Sequence, residues 1–300
     1  MQAGAGSDEL CRQVGEWTIA TSLVHRALAE TIGQASGLSV GQYRILARLQ
    51  SFGRFDRMTT LSQSTELHPS TITTTVRELE SMGLCRTGWR LSDRRSTAIS
   101  CTKRSEELIT EVNEAIAVRV RKVWELYSID ELMLTHYDSI KTAATRKALT
   151  KYELTLDSAE KAFAESVFVN HIAERRCLAE WGISINGFLI LACLVASEDG
   201  LSPATLSDRT FLRRSEISDA FKVLLQNGMI VRRQSNTDRR FAHIRIMPAA
   251  RRLIVDDVAP ALHQRLMSIV PEESRSKAHL YCSIANKVLE TMRACKKQPF

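Results

Sequence analysis

Glycine and proline are scarce in this chain, 13 and 6 residues among 300, and neither occurs between Trp89 and Trp181. A stretch without that punctuation can run as long helices. Aromatic residues make up only 6% of the sequence, which with so few turn formers speaks against a β-sandwich. The longest apolar run, Phe188–Ala196, is too short to span a bilayer. Met1 to Glu9 is small and polar and no apolar leader follows it. The seven cysteines are scattered and form no Cys-x-x-Cys. They suit a reducing cytoplasm and argue against a disulfide framework or a structural zinc site. The sequence holds no Gly-rich phosphate loop, nucleophile elbow, paired-carboxylate signature or close histidine cluster. Enzymatic activity, a metal and a cofactor are therefore not expected.

What is present is repetition. Shifted by 145 residues, the chain matches itself without a gap from residue 37 to residue 99. Ile45-Leu46-Ala47 meets Ile190-Leu191-Ala192, and Thr60-Leu61-Ser62 meets Thr205-Leu206-Ser207. Ser70, Ile72, Leu79 and Gly83 meet Ser215, Ile217, Leu224 and Gly228, and Asp93-Arg94-Arg95 meets Asp238-Arg239-Arg240. Two copies of one folded unit, residues 1–155 and 156–300, follow from that constant offset, and the length suits two domains. With 44% apolar and 25% charged residues the chain reads as soluble and globular. The net charge of +7 suits an anionic partner, although where the arginines sit decides more.

Each copy reads as three helices and a hairpin. The first helix covers Ser39–Gln50 or Ser184–Ala196, the second Thr60–Glu66 or Ala204–Thr210. The third opens at Ser70 or Ser215 and stops at Gly83 or Gly228. Two β-rich stretches follow, Leu84–Arg90 with Ser96–Cys101 and Met229–Gln234 with Ala242–Met247, around the Asp-Arg-Arg tips. Helical stripes flank the copies: Leu10, Val14, Trp17, Val24 and Leu28; Leu108, Val112, Ala115, Val118 and Val123; and Ala159, Phe163, Val167 and Ile172. Capping boxes at Ser128–Glu131 and Asp157–Glu160 open further helices. The fold class is mainly α with two small β-wings: two winged helix-turn-helix domains plus a helical bundle suited to pairing them.

Ser70, Thr71, Thr73, Thr74 and Arg77 give the third helix short hydroxyls and a guanidinium, while Ile72, Val76 and Leu79 face inward. Such a helix start can reach phosphates and base edges. Arg86, Arg90, Arg94 and Arg95 concentrate on one hairpin of a size that fits a minor groove, with Asp93 holding its tip. The second copy offers Arg213, Arg214, Ser215, Ser218 and Lys222 on its helix, and Arg232, Arg233, Arg239 and Arg240 with Asp238 on its hairpin. Glu216 and Asp219 distinguish this second head: they repel phosphates, or Glu216 accepts from a cytosine amine, so an asymmetric operator is expected.

Leu38-Ser39-x-x-Gln42-Tyr43-x-x-Leu46, Leu61-Ser62, Ser70-Thr71-Ile72-Thr73, Leu79-Glu80-x-x-Gly83-Leu84 and Asp93-Arg94-Arg95 with Ile99 and Thr102 resemble the MarR transcription factors. The likeness covers nearly the whole first half and is looser in the second, where Ser215-Glu216-x-Ser218 replaces the Ser-Thr-x-Thr start. The resemblance implies a cytoplasmic, sequence-specific regulator of transcription, a repressor by promoter occlusion, with double-stranded DNA as partner and no membrane. In that family two subunits dimerise; here one chain would supply both as a monomeric pseudo-dimer, with self-association still open and recognition helices roughly 34–36 Å apart. It also implies a small aromatic effector, for which Trp17, His25, Tyr43, Phe52, Phe55, Trp181 and Phe188 are candidate pocket residues, each more simply read as core. The alternative is a ligand-sensing or interaction protein that keeps the fold without binding DNA. An oxidant switch at Cys11 has little support, Arg12 being its only adjacent cation. Cys85 and Cys101, with Ile230 and Ile246 as counterparts, read as small buried hydrophobes across the first wing.

Overall fold

The computed structural model describes residues 3–51, 56–90, 93–127, 159–234, 242–269 and 289–290. In the first copy, α1 (Ala3–Ser36), α2 (Val40–Ser51), α3 (Met58–Thr65) and α4 (Pro69–Ser81) precede β2 (Cys85–Arg90), β3 (Asp93–Cys101) and α5 (Lys103–Tyr127), with β1 (Asp56–Arg57) before α3. In the second copy, α6 (Ala159–Ala179), α7 (Ile185–Val195), α8 (Pro203–Thr210) and α9 (Arg214–Gln226) precede β4 (Ile230–Gln234) and β5 (Ala242–Ile246). α10 (Pro248–Arg252), a π-helical segment (Leu253–Val258) and α11 (Ala259–Ile269) follow. The expected boxes at Ser128–Glu131 and at the start of α6 lie wholly or partly outside the described residues. None of the described helices is long and apolar enough to cross a membrane.

Two compact units group Met1–Leu23 with Asn170–Pro299, and Val24–Val169. The sequence repeat divides the chain once; the spatial grouping cuts it inside α1 and again inside α6.

In the unit of Val24–Val169, α2 opens with a reciprocal cap: Gln42 N donates to Ser39 Oγ at 3.2 Å and Ser39 N to Gln42 Oε1 at 2.9 Å. α4 starts at Pro69, whose missing N–H costs nothing there, and His68 Nδ1 accepts from Ser70 N. It stops at Gly83, in the left-handed region at φ 71°, with Leu84 N donating to Leu79 O. Ile72, Val76 and Leu79 are buried as the helical spacing requires. The stripe on α5 departs from the expected one. Ile109, Val112, Ile116, Val120 and Val123 are buried while Val118 is 48% exposed, a phase error of about one residue in a helix with apolar residues on several faces.

The first wing has three strands, ordered β1-β3-β2, where two were expected. Asp56 pairs with Ile99 and Arg57 with Ala98. Two residues are too few to show an alternating pattern. The unit of Met1–Leu23 with Asn170–Pro299 repeats the register 145 positions on: Leu201 bridges Ile244, with Ile244 N donating to Leu201 O at 2.8 Å and Leu201 N to Ile244 O at 3.0 Å. The core of this unit gathers Phe188, Leu189, Ile190 and Leu191 of α7 with Leu206, Ile217, Leu224, Ile254 and Leu262.

Candidate nucleic-acid interface

The turn between α3 and α4 is stitched by its own side chains. Ser62 Oγ donates to Leu67 O at 2.9 Å, Thr65 Oγ1 donates to Leu61 O, and Thr65 Oγ1 accepts from Leu67 N at 3.4 Å. Glu66 between them adopts φ 56°. The turn between α8 and α9 has the same bonds at positions 145 later. Ser207 Oγ donates to Leu212 O at 2.7 Å, Thr210 Oγ1 to Leu206 O at 2.6 Å, and Leu212 N to Thr210 Oγ1 at 3.4 Å, with Phe211 at φ 56°. The hydroxyls replace backbone partners that a left-handed residue removes, which fixes the angle at which the following helix leaves the turn.

On α4, Ser70, Thr71, Thr74 and Arg77 are exposed and Thr73 is half-buried. Their hydroxyls are less available than the sequence suggests. Thr73 Oγ1 donates to Pro69 O at 3.0 Å, Thr74 Oγ1 to Ser70 O at 3.1 Å, and Ser70 Oγ shares a 2.8 Å hydrogen bond with His68 Nδ1. With those protons engaged on the helix, Arg77 and the oxygen lone pairs carry the polar character of the face. Arg86 is exposed on β2. Glu80 Oε1 accepts from Thr87 N at 3.1 Å and Thr87 Oγ1 at 2.7 Å, tying wing to helix. Those bonds hold the Glu80 carboxyl below its ordinary range. The sequence does not announce this brace, because it joins two elements seven residues apart through ordinary surface residues. Asp93, Arg94 and Arg95 lie on the backbone of β3, where Asp93 pairs with Arg90; the side chains of Arg90, Asp93, Arg94 and Arg95 lie outside the described residues.

Arg213, which caps α9, and Arg214, Ser215, Ser218 and Lys222 on it are exposed. Glu216 Oε2 accepts from Arg213 N at 2.7 Å, so this carboxylate caps its own helix and is half-buried. Ser218 Oγ donates to Arg214 O at 2.9 Å, and Lys222 pairs with Asp219 at 3.0 Å. Arg232 and Arg233 stand exposed on β4, while Asp238, Arg239 and Arg240 lie outside the described residues.

The effector candidates separate. His25 and Tyr43 both pack edge-on against Phe168, at centroid distances of 5.9 and 6.3 Å, and Tyr43 Oη donates to Asn113 Oδ1 at 2.8 Å. Phe168 carries no signal of its own in the sequence, since one aromatic on a helical stripe looks like any other. Phe188 is fully buried in α7 and is core. Trp181 sits 37% exposed in the turn after α6, Trp17 is half-buried on α1, and Phe52 and Phe55 lie outside the described residues.

Burial raises the thiols of Cys11, Cys85, Cys101 and Cys177 above their ordinary value, the opposite of activation. Burial pushes Cys11 up to about 12, with Asp8 adding to the rise and Arg251 opposing it. Burial likewise raises Cys85 to about 12; Cys85 and Cys101 are cross-strand partners whose thiols donate to Val76 O and Leu46 O.

Residues 181–240 match the model of the MarR family. That match falls on the second copy, the one whose residue pattern is looser, and nothing in the structure explains the preference. None of the curated proteins compared matches the chain. Solved structures similar to it include a MarR-family transcriptional regulator from Rhodococcus sp. RHA1, 21% identical, covering 42% of this chain and 86% of that one with a TM-score of 0.38. CouR from Rhodococcus jostii RHA1, bound to p-coumaroyl-CoA, is 23% identical over 41% of this chain and 85% of its own, with a TM-score of 0.36. The S. aureus MepR–DNA complex is 18% identical over 41% and 92%, with a TM-score of 0.34.

Proposed function

We propose that this chain is a sequence-specific DNA-binding regulator of transcription that carries two winged helix-turn-helix heads in one polypeptide and represses by occupying its operator. The observation that carries the reading is the recurrence, bond for bond at an offset of 145, of a stitched turn delivering an arginine-bearing helix and a basic hairpin. A rigid turn of this kind supports groove reading because it fixes the helix against its own domain before DNA arrives. The MarR-family match over residues 181–240 supports the same reading.

The heads are unequal. Glu216 and Asp219 on α9 are spent on a cap and an ion pair, and the brace from Glu80 to Thr87 has Leu225 and Arg232 at the corresponding positions. A half-site bound less tightly by the second head follows. This inequality also supports the rival reading, a ligand-sensing protein that has kept the fold and lost its DNA.

A gel-shift titration of the full chain against its own upstream region, at several stated salt concentrations, separates the two. Binding that weakens with salt supports the regulator; none above the non-specific level supports the rival. Arg94→Ala or Arg95→Ala then weakens binding across sequences and lowers the salt slope by about one unit. An unchanged slope in both variants removes the wing from the interface.

A further inference from the structure

Among the described residues of the unit of Met1–Leu23 with Asn170–Pro299, one side chain is placed at odds with its chemistry. Glu174, on α6, is 0% exposed, and neither of its carboxyl oxygens has a hydrogen-bond partner. The Thr18 hydroxyl on α1 is also buried and without a partner, as is Ser22 Oγ one turn further along the same face. Thr18 is close enough to favour the charged carboxyl, although no well-formed hydrogen bond joins the two. Burial alone drives Glu174 well above the usual carboxylate range. The Glu174 carboxyl and the Thr18 hydroxyl thus offer acceptors where water does not reach, with the unmet Ser22 hydroxyl one helical turn from Thr18, and such groups are expensive to leave unmet.

The flanking residues on these faces are apolar and buried: Val14 on α1, and Cys177 and Leu178 on α6. Half-buried aromatic rings, Trp17 and His171, stand within a turn of Thr18 and Glu174 along their helices. The internal repeat shows that the fold does not require any of this. At the positions 145 away, Thr18, Ser22 and Glu174 become Phe163, Val167 and Ala29, an apolar set in the other unit.

We infer that Thr18, Ser22 and Glu174 form a binding site for an organic ammonium, an amine carried on an apolar or aromatic body, taken up once per chain. A primary ammonium has three N–H donors and one positive charge, which meets the two hydroxyls and the carboxylate together. Its apolar body suits the surrounding Val14, Cys177 and Leu178, and an aromatic ring near the cation adds to the attraction. A metal ion fits less well: no group of three or more metal-ligating side chains gathers among the described residues. The site stands on its own geometry; its use as an effector site rests on the DNA-binding reading above.

The test is calorimetric titration of the full chain, in an amine-free buffer near neutral pH, with phenethylamine, 2-phenylethanol and phenylacetate. Phenethylamine is expected to bind at one per chain while the isosteric alcohol and the acid do not bind at the same concentrations, and Glu174→Gln is expected to weaken the amine at least tenfold. Equal binding of the three compounds, two amines per chain, no amine binding up to millimolar concentration, or an unaffected Glu174→Gln would each overturn it. Selectivity and stoichiometry are measured on the wild-type chain, so the outcome does not depend on the variant folding. The gel shift is run on the same preparation: amine binding without DNA binding removes the regulator and keeps the site, and the reverse removes the site alone.

Discussion

Two buried carboxylates on one helix, Glu165 and Glu174, are handled in opposite ways in this chain. Glu165, on α6, is clasped by Arg44 through Nη2 at 2.6 Å and Nε at 3.2 Å, and by Arg48 Nη2 at 2.6 Å. The same guanidiniums continue to the end of α3, where Arg44 Nη1 donates to Thr65 O at 2.8 Å and Arg48 Nε to Ser64 O at 3.2 Å. Burial by itself would raise Glu165, but the two cations overcome it and hold the carboxyl below its ordinary range. Removing one member of a buried network strands the others, so Glu165→Ala should cost about 3–5 kcal/mol in a denaturant titration. Replacing the trio by Ala, Leu and Cys, as at Ala20, Leu189 and Cys193 in the other unit, should recover most of that; a Glu165→Ala variant within about 1 kcal/mol of wild type, the worth of an exposed pair, would show the network to be idle. Glu174 behaves in the reverse sense. Its folded-state value lies above the unfolded one of about 4.3, so its contribution is whole below that pH and is lost as pH rises toward the folded value. Glu174→Leu, without ligand, should therefore gain in thermal stability relative to wild type from about pH 4 to pH 7. A difference that stays constant across that range would count against a raised carboxyl.

Elements here depend on backbone fit as much as on side chains. Gly200, at φ 77°, lies beneath the bridge from Leu201 to Ile244, and an added Cβ would sit 2.4 Å from Ile244 O and 2.6 Å from Arg245 Cγ. Gly182 has a similar φ of 66° but nothing within 4 Å of such a Cβ. Gly182→Ala should cost about 1–3 kcal/mol for the left-handed backbone alone. Gly200→Ala should cost more, because a strand backbone cannot give way as a side chain can; equal melting temperatures for the two variants would refute that ordering. At this scale the sequence was largely legible. The helix limits read from the pattern, Ser39–Gln50, Ser184–Ala196, Thr60–Glu66, Ala204–Thr210 and the spans from Ser70 to Gly83 and from Ser215 to Gly228, fall within about two residues of those observed. The third strand was not legible, because Asp56–Arg57 and Leu201 are too short to carry a period.

For the whole molecule, the repeat and its departures matter together. The stitched turns are alike in both units, whereas each buried polar device lies within one unit and is apolar at the corresponding positions of the other. On the proposed reading, one polypeptide with two heads allows such divergence, whereas two identical subunits would have to carry every change twice. Footprinting on a selected operator should therefore show two half-sites about one helical turn apart, the one under the first copy protected at lower protein concentration. Equal protection of two identical half-sites would argue against unequal heads.

The amino-acid order by itself carried the internal match at an offset of 145 and the limits of the described helices, because periodicity, caps and spacing are properties of neighbours along a chain. It could not show that Glu165 is clasped 121 residues from Arg44, that Glu174 is left without a partner, or that the hydroxyls of Thr73 and Thr74 are already bonded to their own helix. Those outcomes depend on which groups packing brings together and which it shuts away from water, and a carboxylate's character follows from that company.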